Sequence, residues 1–154
     1  HGDVGIGHPP RSMVSGAQGL GDGASLRHPG LLVGPVHLVE ADRRARLFCG
    51  SRMIKYLAWF ESVLARNGRN ARARRLHLVG AQLSYADLSL FQLVAGLHYA
   101  FPKATRRVLR TAPLVERLHA EIAQLPRLAD YLASSRRIPF NQDGLFRQYP
   151  ELDS

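Results

Sequence analysis

The segment Leu83-Ser-Tyr-Ala-Asp-Leu-Ser-Leu-Phe91 sets a hydroxyl three residues ahead of a carboxylate, at the mouth of an apolar run. Two chemistries use such a pair. An acid in apolar surroundings can work as a general base. Alternatively, Ser at the N-cap and an acid at N3 form a capping box: the Ser84 hydroxyl accepts from the Asp87 N–H and the carboxylate reaches back to the Ser84 N–H. The neighbours favour the cap, because Leu83 and Leu88 fall at the two positions of a hydrophobic staple and the carboxylate meets the positive end of the helix dipole. Asp87 is therefore expected to be structural.

The other residues with chemical capacity form weaker patterns. His77, His98 and His119 are far apart in sequence and include no i, i+4 pair, so no metal site is expected, and His98 is expected to satisfy a nearby carbonyl. The lone Cys49 permits neither an intrachain disulfide nor a cysteine-rich zinc site. Its place near the start of a basic helix would lower its pKa somewhat, but no base accompanies it, and it is read as a bystander. The glycines of "GIGHPP" and "GLGDG" lack the strand before and helix after that a phosphate loop requires. Between Arg66 and Arg75 lie five arginines, which could meet phosphate or another anion. The run has no interleaved aromatic and no groove-reading motif, so a solvated loop is the expected reading and nucleic acid is set aside.

Helices must position these residues. From His1 to about Asp42, Gly and Pro are too dense for a clear element: the first 52 residues hold ten of the 14 glycines. This segment is expected to be irregular, with "LLVGPVHLV" (31–39) as a short strand pair at most. From Arg43 the texture turns helical, with Met53, Leu57, Phe60 and Leu64 on one face, flanked by Tyr56 and Val63. Asn67-Gly68 should close that helix through a left-handed turn. Leu83 to His98 is apolar nearly all round and should be the buried central helix. A basic connector follows Phe101-Pro102. Pro113 then starts a helix burying Val115, Leu118, Ile122 and Leu125, and Pro126 starts a shorter one with Leu128, Tyr131 and Leu132 on one side. The tail from Ser135 should lie extended across the bundle, anchored by Ile138, Phe140, Leu145 and Phe146.

A chain of 154 residues suits one domain, here residues 43–154, preceded by the irregular 1–42. The formal charge of +9 resides in the second part: residues 1–42 carry two Arg against four acids, and residues 43–154 carry 19 Lys+Arg against eight. No window approaches the roughly 20 apolar residues that span a bilayer, and the start lacks a signal-like apolar region, so a cytoplasmic protein is expected.

At the capping segment the chain resembles the glutathione S-transferases, in their all-helical C-terminal domain. "LHLVGAQLSYADLSLFQ" is similar to the family's stretch in which a Leu-Val-Gly turn leads into a Ser-x-x-Asp capped central helix. The helix "MIKYLAWFESVL", the pair "APLVERLHAEIAQLPRLADYLAS" and the ending "RRIPFNQDGLFRQYPELD" look similar to bacterial-type members. The resemblance runs from about Arg43 to Ser154. It implies an all-α bundle and a family reaction in which a glutathione thiolate attacks an electrophilic carbon, with glutathione as co-substrate and no cofactor bound by this chain. It also implies an apolar-substrate pocket to which Tyr99, Phe101, Phe140 and Phe146 would contribute, ordinary core packing being their other role. A complete member would carry a thioredoxin-like domain holding the glutathione site, and a long helix ahead of Arg43. Residues 1–42 are expected to supply neither, so a truncated or misread chain, inactive by itself, is the expectation. A thioredoxin-like domain and a second copy of the chain are the expected partners. The alternative is a non-catalytic interaction module, such as occurs in translation factors and appended to aminoacyl-tRNA synthetases.

Overall fold

The computed structural model describes residues 35–153, and within them the chain is all helical. The first helix, α1, spans Pro35–Leu47 and runs through a π-helical stretch, Phe48–Arg52, into α2, Met53–Arg66. The chain then passes through a loop to α3 (Tyr85–Ala100), α4 (Pro102–Leu109), α5 (Pro113–Ala123) and α6 (Pro126–Ala133), and the tail closes with a 3-10 turn at Pro150–Leu152.

Helix thus begins eight residues before the expected boundary at Arg43, and Pro35–Val39 is helical where a strand pair was expected; residues 1–34 lie outside the described ones. A Gly-Pro step hides the start of α1 in the sequence. Pro at the first turn is tolerated because its missing N–H would be unpaired there anyway. Local charge pairs support the turns beyond it: Glu40 with Arg43 and Arg44, and Asp42 with Arg46, at 2.7–2.9 Å. All are exposed, so each contributes little.

On α2 the buried residues are Met53, Leu57 and Leu64, with Phe60 and Val63 partly covered, while Tyr56 is exposed rather than flanking the core. The helix does not end in a left-handed turn: Asn67 is extended, with φ −70° and ψ 96°. Its side-chain amide instead donates to the carbonyls of His77 and Gly80, both at 2.9 Å. The left-handed residue is Gly80, φ 66°, in the turn before α3.

The basic connector is α4. Its buried residues Ala104, Thr105, Val108 and Leu109 recur at helical spacing under an arginine-rich outer face, and the Thr105 hydroxyl donates to the Leu97 carbonyl at 2.9 Å, fixing α4 against α3. On α3, Leu90, Phe91, Val94 and Leu97 are buried, but Tyr85, Leu88, Ser89 and Gln92 face solvent. The position of hub belongs as much to α5, which packs against α2, α3, α4 and α6. Its Val115, Leu118 and Ile122 are buried.

In the tail, Phe140 and Phe146 are half-buried, whereas Ile138 and Leu145 are 81% and 92% exposed and anchor nothing. The ring of Phe146 lies where a side chain at position 96 would be, so its seat exists only because that residue is Gly.

Candidate apolar pocket and the carboxylates that frame it

Both arms of the capping box are present at the start of α3. The Ser84 N–H donates to Asp87 Oδ2 at 2.8 Å, and the Ser84 hydroxyl lies 3.1 Å from the same oxygen. The carboxylate does a further job that spacing could not reveal: its Oδ1 accepts from the Leu78 N–H at 2.7 Å, tying the loop to the helix. Asp87 is fully buried. With both oxygens held by backbone donors, it does not face an open cleft as a general base must. His77 Nδ1 lies 3.7 Å from Oδ2. Leu83 and Leu88 remain 45% and 40% exposed, so the staple lies at the surface.

Three more acids serve the backbone in the same way. The residues preceding α4 and α5 are Phe101 and Ala112, whose side chains cannot cap. At α5, Glu61 from α2 accepts from the N–H groups of Leu114 and Val115 at 2.9–3.0 Å. At α4, the buried Asp153 accepts from Lys103 and Ala104 at 2.8 and 3.0 Å. Glu121 accepts from the Leu76 N–H and from Arg117, at 2.8 and 2.7 Å.

Cys49 sits buried in the π-helical stretch, and its thiol is pushed up rather than down, by burial first and by the Asp153 carboxylate second. That corrects the lowered value expected from the basic helix. The histidines also differ from the sequence picture. His98 and His119 are 21 positions apart in the chain, yet their rings lie 5.7 Å apart between α3 and α5, with His119 stacked on Phe91 at 4.9 Å. Burial lowers the pKa of each. Among the described residues no group of three or more His, Cys, Asp or Glu could hold a metal ion.

Tyr99, Phe140 and Phe146 come together. Tyr99 stacks on Phe140 at 5.1 Å, and Phe140 meets Phe146 edge-on at 5.9 Å. They do not share one cavity. Phe146 lines an open, apolar concavity of about 580 Å³ beside Phe48, Leu93, Leu97, Phe101 and Tyr149. Phe140 lines a smaller one of about 250 Å³ with Leu88, Phe91 and Tyr131, and Tyr99 lines neither. Phe101, between α3 and α4, lines the larger cavity as the resemblance implies, whereas periodicity marks Phe48 and Leu93 only as helix-face residues.

Residues 36–135 match the family profile described as glutathione S-transferase, C-terminal domain, and the chain belongs to that family. It is also 27% identical over 89 residues to a glutathione S-transferase of Plasmodium falciparum (isolate 3D7). That alignment covers 58% of this chain and 40% of the relative, so the match spans about two fifths of the relative's length. No helix among the described residues is long and apolar enough to cross a membrane.

Proposed function

We propose that this chain acts as the helical half of a glutathione S-transferase-like protein and supplies the apolar side of an electrophile pocket. The observation that carries the reading is the concavity of about 580 Å³ under Phe146, within the size range of small-molecule sites and walled by Phe48, Leu93, Leu97, Phe101 and Tyr149 on a scaffold of this family. An aromatic wall suits the carbon skeleton of an apolar electrophile. Conjugation also requires a thiolate, and a thiolate at neutral pH needs a nearby donor. The polar side chains of its lining are Arg44, Arg147 and Tyr149 and the rest is apolar; in this reading glutathione and its activating group are brought by a thioredoxin-like domain. Exposed Leu47, Ile54, Tyr56 and Trp59 on the α1–α2 rod are surface that such a domain or a second copy would cover.

Two measurements on the purified chain test this. A fluorescent apolar probe should bind saturably and lose at least tenfold in affinity in Leu93→Asp. Turnover of glutathione with chlorodinitrobenzene should be at background. Full turnover would overturn the division of labour. Absent probe binding would overturn the pocket and favour a non-catalytic interaction module in a compartment this reading takes to be the cytoplasm.

A further inference from the structure

The loop between α2 and α3 forms a second concavity, of about 820 Å³, lined by Arg69, Arg72, Arg74, Arg75 and His77 with no acidic side chain in its wall. We propose that it binds a compact oligophosphate: an inorganic polyphosphate or the phosphate chain of a nucleotide. Among the described residues, none of the five arginines from Arg66 to Arg75 is in a salt bridge, although the nearby Glu121 is paired with Arg117.

The backbone that carries these cations is pinned from beneath. Asn70 Nδ2 donates to the carbonyls of Leu64 and His77, and its Oδ1 accepts from the His77 N–H, all at 2.9 Å. Asn67 holds His77 and Gly80, Glu121 holds the Leu76 N–H, and Asp87 holds the Leu78 N–H. Leu76, His77 and Leu78 are buried, the two leucines within the hydrophobic core. Like charges on a free loop would drift apart, but here the frame keeps them on one rim. An anion that enters relieves their mutual repulsion, and the loop has already lost its conformational freedom before binding.

The guanidinium fork matches phosphate geometry and can bind two oxygens at once. The volume exceeds what one phosphate fills and lies within the range of small-molecule sites. The wall contains no Phe, Tyr or Trp, and its one imidazole, His77, is 8% exposed, which disfavours stacking of single-stranded nucleic acid. The loop precedes α3, whereas the apolar pocket is lined by residues toward its other end, so the two sites are separate and this inference does not depend on the proposed function.

Calorimetric titration of the full chain with sodium tripolyphosphate, at about 0.1 M salt where surface charge is screened beyond about 10 Å, tests the proposal. One-to-one saturable binding is expected. Arg72→Gln/Arg74→Gln/Arg75→Gln should weaken it at least tenfold, while Arg110→Gln/Arg127→Gln/Arg136→Gln, an equal loss of charge elsewhere, should leave it within twofold. Adenosine triphosphate competing with tripolyphosphate would identify a nucleotide as the source; failure to compete would identify inorganic polyphosphate. Equal weakening by both triple variants, or no saturation up to millimolar ligand, would overturn the site. So would single-stranded RNA that displaces tripolyphosphate with an affinity rising with strand length, since the loop would then be following a polymer.

Discussion

Replacing Asp87 by alanine removes one buried carboxylate and strands two backbone donors, the Ser84 and Leu78 N–H groups, now bonded at 2.8 and 2.7 Å. Each buried donor left without a partner costs about 1–3 kcal/mol, and hydrogen bonds to a charged acceptor lie at the upper end of the usual range. Both donors together should therefore cost about 3–5 kcal/mol, a large share of the stability of a domain this size. For a unit of this length that corresponds to roughly 10–20 °C in Tm. Asp87→Asn should fall in between, because its amide oxygen still accepts one bond while its amide nitrogen confronts the other donor. Ser84→Ala should lose only about 0.5–2 kcal/mol. Urea unfolding followed by circular dichroism gives the order Ala, then Asn, then the Ser84 variant. If Asp87→Ala melts within about 2 °C of the parent, and instead abolishes activity in a complete transferase carrying this domain, the carboxylate is catalytic and the structural reasoning fails.

Gly96→Ala places a methyl in the seat of the Phe146 ring, so the tail should lift and proteolysis after Arg136 or Arg137 should speed up several-fold. Phe146→Leu in the same chain should restore resistance. Asp153→Ala, which likewise strands two backbone donors, the Lys103 and Ala104 N–H groups, should destabilise by about 3–5 kcal/mol, measured by urea unfolding. His98 and His119 are held below their ordinary value of 6.5 by burial. Between that value and the lower folded one the unfolded chain binds more protons, so stability should be intact above about pH 7, fall as pH drops through 6.5, and level off below the folded values; His119→Gln should flatten that slope. Cys49, buried with a raised pKa, should react with a thiol reagent only as fast as the chain opens, and denaturant should make the reaction immediate.

Legibility in the sequence was local. Ser84 and Asp87 are three residues apart, and the stripes of α2, α5 and α6 repeat within a few turns. The acceptors for α4 and α5 were hidden because they lie 50 and 53 residues from the donors they serve. At α5 only the need could be read: Pro113 starts a helix after Ala112, which cannot cap, whereas at Pro102 the sequence suggested a connector and no cap was sought. The small residues Ala104 and Thr105 concealed α4, though with Val108 and Leu109 they keep helical spacing. The meeting of His98 with His119 depends on how α3 packs on α5, which periodicity does not encode. The tail aromatics were legible as a group, but their division between two cavities depends on Gly96, whose effect comes from a side chain it lacks.

The borrowed acceptors at α4 and α5 also determine what hydrogen exchange would report. An amide in a first turn ordinarily exchanges when its own helix frays. Here the protons on Lys103 and Ala104 are shielded by the tail, and those on Leu114 and Val115 by α2. Deuterium uptake at those four sites would time the departure of remote segments while α4 and α5 themselves stay wound.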